Sequence, residues 1–260
     1  MELLDTFRSH AVALPNLAKF AIVMAIIACA PALARHSNDA ATLRKVRWCR
    51  RQLLTWYARY GRDLPWRCWR AGLYQKIVVE ILLQRTQART IERFFSGFIR
   101  RFRSWSDVSA ASIEDLGEVL RPIGLWRRRA GALKALASEM VRRRGSFPID
   151  RRQIEALPAV GQYVASAVLL FAHGRPEPLL DVNMARVLER VFEPRRLVDI
   201  RYDPWLQTLA RILVRSVRSA EVNWAVLDVA ALYCRPLKPA CADCPLQRKC
   251  NYTVGSHHPR

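Results

Sequence analysis

The chain has 260 residues, 51% of them hydrophobic, enough for one large domain or two modest ones, and that apolar fraction excludes a globally disordered chain. Lysine and arginine number 43 against 22 acidic residues, a net charge of +21. Such an excess attracts a polyanion and makes its binding salt-dependent; DNA, ribosomal RNA and an anionic membrane surface all fit it, and charge by itself names no chemistry.

Residues 1–44 read as an N-terminal extension of unassigned role. Within them an apolar run over 20–34 follows Lys19 and closes on Ala32-Leu33-Ala34, a pattern shared with secretory signals. Glu2 and Asp5 weaken the charged start such a signal needs, and the run is too short for a membrane helix. It reads instead as an extra surface helix, or as a start placed upstream of Met24, which lies inside the run. The localisation expected is cytoplasmic and nucleoid-associated, with a targeting sequence as the alternative.

From residue 45 onward the spacing predicts helix after helix. Apolar residues recur at helical intervals over 46–60, and Gly61 and Pro65 break the pattern. The segment 74–83 is strongly apolar but holds one carboxylate, Glu80. Amphipathic helices are expected over 90–102, 113–120 with Ser112 as N-cap, and 130–144. Residues 154–157, a turn through Pro158-Ala159-Val160-Gly161, and 163–172 read as helix, tight hairpin, helix. Helices over 182–192, 205–217 and 221–233 complete the set. Strand-like alternation is nearly absent, so the fold class is all-α. The runs Arg100-Arg101-x-Arg103, Arg127-Arg128-Arg129 and Arg142-Arg143-Arg144 read as solvated faces.

Three constellations carry chemistry. Four of the seven cysteines, Cys234, Cys241, Cys244 and Cys250, lie in the last 30 residues with gaps of six, two and five, while Cys29, Cys49 and Cys68 are scattered. An odd count with one tight cluster argues against a disulfide framework and for a metal site in a reducing compartment. Four thiolates can hold a tetrahedral zinc or a four-iron cluster, and spacing leaves both open. The hairpin ending in Gly161 points backbone N–H groups of a helix start outward, where they can hold a DNA phosphate. Finally, Glu80 and Asp181 are acids in apolar surroundings, costly there unless paired or employed; a core ion pair and an N-cap are the plainer alternatives.

Taken together, Leu157-Pro158-x-Val160-Gly161, Asp181-x-Asn183-x-x-Arg186-Val187 and the C-x6-C-x2-C-x5-C tail resemble the endonuclease III and adenine-DNA glycosylase superfamily of helix-hairpin-helix proteins. Tyr60-Gly61-Arg62-Asp63-Leu64-Pro65-Trp66, Glu80-Ile81-Leu82-Leu83-Gln84-Arg85-Thr86-Gln87 and Gly124-Leu125-x4-Ala130-x2-Leu133-Lys134 agree with it, in the family's order over residues 46–253. The resemblance implies a six-helix barrel over 66–180 carrying the hairpin, a cluster domain from 45–65 plus 181–253, and a tail over 254–260. It implies a 4Fe-4S cluster on the four C-terminal cysteines. Double-stranded DNA with a mismatched or damaged base would lie between the domains, bound by a monomer, with the target base flipped out because its glycosidic carbon is unreachable in the stack.

Residue by residue, the resemblance implies that Asp181 stabilises the oxocarbenium-like sugar and helps place water. Glu80 would contact or protonate the departing base, and Gln84, with Arg85 beside it, would fill the gap the flipped nucleotide leaves. Val160, Gly161 and Gln162 would hold backbone phosphate. Tyr163 stands where the bifunctional branch has a Schiff-base lysine, so excision without efficient strand cleavage is expected. Adenine glycosylases usually have serine there and the thymine/uracil mismatch enzymes tyrosine. The short run after Cys250 leaves no room for an 8-oxoguanine-reading domain. The function implied is removal of thymine or uracil opposite guanine; an adenine or modified-pyrimidine glycosylase, a non-catalytic iron–sulfur DNA-binding protein and a zinc-stapled helical module are the alternatives. Ala159 replaces the family's usual first hairpin glycine, which matters if the turn needs positive φ.

Overall fold

The computed structural model describes residues 39–68 and 70–254; the apolar run at 20–34 and the tail beyond 254 lie outside them. Among the described residues there is no strand, and no helix is long and apolar enough to cross a membrane. In chain order the helices are α1 (Ala40–Tyr60), α2 (Leu73–Leu83), α3 (Ala88–Arg101) and α4 (Trp105–Ala110). Next come α5 (Ile113–Leu120), α6 (Trp126–Arg142), α7 (Arg151–Glu155) and α8 (Gln162–His173). The last are α9 (Val182–Val191), α10 (Pro204–Val214), α11 (Ser219–Leu232) and the short α12 (Asn251–Val254).

Two apolar cores organise these helices. The first gathers side chains between Leu64 and Leu179, among them Leu82, Phe98, Leu133 and Val168. The second joins Val46, Cys49, Leu53 and Trp56 of α1 to α9, α10 and α11. The first described helix therefore packs against the end of the chain. Leu82 and Phe98 have no solvent exposure, and burial of that completeness contributes about 1.5–3 kcal/mol per side chain, which makes α2 a firm base for Glu80.

Helix α11 ties the two cores together. Its fully buried Asp228 accepts hydrogen bonds from Arg62 (backbone N–H at 2.9 Å, Nε at 2.6 Å) and from Arg67 Nη1 at 2.8 Å. Asn223 on the same helix accepts from the Leu179 N–H at 2.7 Å and donates to the Glu177 carbonyl at 3.1 Å. Phe171 of α8 stacks on Trp224 with ring centroids 6.0 Å apart. A buried carboxylate is tolerated because two guanidinium groups and an amide satisfy it.

The structure departs most from the sequence expectations at two helix starts and in one unpredicted helix. Helix α1 begins six residues before the predicted start because Asp39 caps it, accepting from the Thr42 N–H at 2.7 Å. The predicted helix over 130–144 starts at Trp126, after Leu125 enters the left-handed region at φ 51°. Helix α4 has no counterpart among the predicted elements: six residues are too few for periodicity to register, and a Ser104–Asp107 capping box starts it.

Ala159 does adopt positive φ, at 62°. The 156–161 turn needs a left-handed residue there, and alanine meets that need against a cost of about 1 kcal/mol that glycine avoids. Ala159→Gly is expected to raise the melting temperature by about 2–4 °C, checked by a calorimetric scan of the two proteins. An unchanged or lowered melting temperature would show the turn to be unstrained.

Candidate active site

Three helix ends bring the predicted acids together. Glu80 lies near the C-terminal end of α2, Tyr163 in the first turn of α8, and Asp181 caps α9. The Tyr163 hydroxyl donates to Glu80 Oε2 at 3.0 Å, a contact across 83 residues of sequence. Glu80 is buried, only 4% exposed. Burial pushes its carboxyl up to about 7; the Tyr163 hydrogen bond and the Arg67 charge oppose the rise, and the Asp181 charge adds to it. Tyr163 is held well above the usual phenol range, first by burial and then by the Glu80 and Asp181 charges, so it stays a neutral donor.

Asp181 is fixed by its own helix. Its Oδ1 accepts from the Asn183 and Met184 N–H groups at 2.9 and 2.8 Å, and its Oδ2 accepts from Asn183 Nδ2 at 2.6 Å. The N-cap alternative for Asp181 is thus correct as structure, and it is compatible with a chemical role. Asn183 is in turn engaged by Arg186 Nη2 at 3.1 Å, whose Nε donates to the Cys234 carbonyl at 2.6 Å. One short chain of hydrogen bonds runs from Asp181 to the cysteine loop.

The hairpin divides the predicted phosphate contacts. Gly161 is the N-cap of α8, with no side chain closing its amides, and a Cβ added there would meet nothing within 4 Å. Glycine is therefore not required by the protein's own packing, and a bare backbone suits approach from outside. Gln162 is exposed, its Nε2 reaching the Arg201 carbonyl at 3.5 Å. Val160 is a correction: its side chain is buried in the first core and its N–H is spent on the Leu157 carbonyl at 3.2 Å. Leu157 and Val160 anchor the turn by burial, and Gly161 and Gln162 face out.

Gln84 and Arg85 are exposed at the tip just beyond α2, and Arg85 sits at φ 57°. The 127–129 run is a second correction. Arg127 and Arg128 are exposed, but Arg129 is buried at 6% exposure and bonded to four oxygen atoms. Its position on the inward face of α6, not its local sequence, sets it apart from its two neighbours. Arg67 carries no sequence signal of its role. Its side chain is 7% exposed, its Nε is buried without a hydrogen-bond partner, and its charge reaches both Glu80 and Tyr163.

On the other lobe, Cys234, Cys241, Cys244 and Cys250 line one small apolar cavity walled by Val187, Val229 and Leu246. Arg190 Nη1 lies 3.4 Å from Cys234 Sγ. Among the described residues no three His, Cys, Asp or Glu side chains converge closely enough to hold a single metal ion.

The described residues thus form a helical, two-core fold in which a helix-hairpin-helix brings a half-buried phenol onto a buried acid, beside a second acid. Residues 78–198 match the model of the HhH-GPD superfamily base excision DNA repair proteins. The chain is 38% identical over 208 residues to the thymine-DNA glycosylase of Aeropyrum pernix, covering 78% of this chain and 93% of that one. It is 41% identical over 202 residues to the thymine/uracil-DNA glycosylase of Pyrobaculum aerophilum, covering 75% and 86%. Its fold superposes on the structure of a thermostable thymine-DNA glycosylase with a TM-score of 0.73 and 29% identity, over 84% of this chain and all of that one. The chain belongs to the HhH-GPD superfamily of base excision DNA repair proteins.

Proposed function

We propose that the protein is a monofunctional DNA glycosylase that removes thymine or uracil mispaired with guanine. The carrying observation is the buried Glu80, bonded by the half-buried Tyr163, beside the capped Asp181. With its carboxyl pushed up to about 7, Glu80 keeps its proton below that pH and can give it to a carbonyl oxygen of the flipped pyrimidine. The C1′–N1 bond then breaks with its electron pair leaving on the base. The Asp181 carboxylate faces the cationic sugar and takes a proton from the water that adds at C1′. Tyr163 orients Glu80 and has no amine to form a Schiff base, so the strand stays intact. Gly161, Gln162 and the first amides of α8 hold phosphate, while Gln84 and Arg85 enter the duplex where the base has left. Both relatives named above are thymine or thymine/uracil glycosylases, which favours a pyrimidine over adenine.

Single-turnover base release on duplexes holding T:G, U:G, A:G, A:8-oxoguanine and matched pairs tests this reading, each with and without alkali. Breaks at T:G or U:G only after alkali are expected. Breaks at adenine would transfer the protein to the adenine branch, breaks without alkali would make it a lyase, and silence with intact binding would leave a non-catalytic DNA-binding protein.

We propose further that the four cysteines hold a 4Fe-4S cluster. Bound there, it would cross-link the C-terminal loop to the end of α11 and pack against α9, a structural task. The donor set fits: four thiols ring one apolar cavity, and the Arg190 guanidinium at Cys234 suits the net negative charge of a four-thiolate cluster. A single zinc would use the same four sulfurs at about 2.3 Å, and metal analysis separates the two. Anaerobically purified protein is expected to be brown and to carry about four iron and four sulfide per chain. A colourless protein with one zinc would overturn the assignment.

A further inference from the structure

Two exposed tips lie close together at the surface, and one buried side chain holds both. The first tip is Gln84-Arg85, where Arg85 takes φ 57°. The second is Gly124-Leu125, at φ 71° and 51°, with Leu125 presenting an apolar side chain that is 52% exposed. Between them Arg129 Nη2 donates to the Gln84 carbonyl at 2.6 Å and to Thr86 Oγ1 at 2.5 Å. Its Nη1 donates to the Ile123 and Gly124 carbonyls at 2.5 and 2.7 Å. All four terminal N–H groups of one planar guanidinium are thus used, two on each tip, and all four acceptors are uncharged. Burying a cation without a carboxylate is costly, and carbonyls turned toward it offset that cost only while both loops hold this shape. The strained left-handed residues at both tips are kept in place by the same contacts.

We infer that Arg129 is a positioning residue that fixes the separation of the two tips, so that Gln84 and Leu125 enter duplex DNA as one rigid unit. The inference rests on the reading of Gln84 as the residue that fills the space of the flipped nucleotide. Arg129 touches no reacting atom; it acts through the loops it holds. Lysine cannot replace it, because three N–H donors on one atom cannot span four acceptors on two loops.

The test compares Arg129→Lys, Thr86→Val and Gln84→Ala with the unchanged protein. Base flipping is read from 2-aminopurine beside the target base in a T:G duplex, and single-turnover excision is read across pH. Arg129→Lys is expected to slow flipping about tenfold or more, and Thr86→Val, which removes a single acceptor, about two- to threefold. The alkaline limb of the excision profile should stay where Glu80 puts it, since the acid is untouched. Adding Gln84→Ala to Arg129→Lys should cost less than the product of the two single effects. Flipping at the normal rate in both Arg129→Lys and Thr86→Val would overturn the inference, as would a displaced pH profile, which would show general damage to the site. If Arg129→Lys loses its cooperative melt, Thr86→Val decides by the same criteria. Normal flipping in Gln84→Ala alone would instead remove the reading of that residue and the inference with it.

Discussion

Asp181→Asn is expected to abolish base release from a T:G duplex while leaving duplex binding intact. The carboxylate is the group placed to meet positive charge at C1′ and to take the proton of the attacking water, so its neutralisation should slow excision by about 10²–10⁴-fold. The same side chain is the N-cap of α9, and this is where the two roles separate. Asparagine caps a helix about as well as aspartate, so the Asn183 and Met184 N–H groups keep an acceptor. The remaining local cost is the Asn183 amide, which now donates to Oδ2 and would meet an NH2 group instead, at about 1 kcal/mol. Single-turnover kinetics, a binding isotherm on the mismatch duplex and a thermal melt check the three parts together. Full activity in the variant would sink the assignment of Asp181; lost activity with an equally lost melt would reduce it to a cap.

Glu80 makes the second large prediction, in pH. Its folded-state carboxyl is raised from the ordinary glutamate range to about 7, chiefly because burial disfavours the anion. The neutral acid is therefore present below about 7 and disappears above it. Excision should hold steady on the acid side of about 7 and fall tenfold per pH unit on the alkaline side, as proton transfer from one group requires. Glu80→Gln should slow the reaction by about 10²–10⁴-fold and flatten that limb, since glutamine keeps a carbonyl for the Tyr163 hydroxyl but has no acid proton. The linked effect on stability has the same sign. Between about 4.5 and about 7 the folded state binds more protons at this site than the unfolded chain does. The stability contributed by neutral Glu80 is thus complete below that window and is lost as pH rises through about 7. Denaturation of the two proteins at pH 6 and 8 should show the unchanged protein losing stability that Glu80→Gln retains. A pH profile with no alkaline limb in the unchanged protein would remove Glu80 as the acid.

Much of this protein is legible in its sequence. Helical periodicity places most of the elements, because an amphipathic stripe is a local property of spacing. The four cysteines, the hairpin and the two acids in apolar stretches are visible as departures from what a plain helical core would contain. Residue identity alone also establishes that Tyr163 cannot do lysine chemistry and that residue 159 is an alanine in a hairpin turn.

Packing supplies the rest. Only the fold brings the Tyr163 hydroxyl to Glu80, 83 residues away, and raises the acid by burying its carboxyl. Only the fold buries Arg129 among three consecutive arginines, turns Val160 inward from a hairpin whose next residue faces out, and pairs Arg62 and Arg67 with Asp228 more than 160 residues on. The reason is physical: spacing along a chain determines which side of a helix a residue occupies, whereas its charge state and hydrogen-bond partners depend on which other element covers that side.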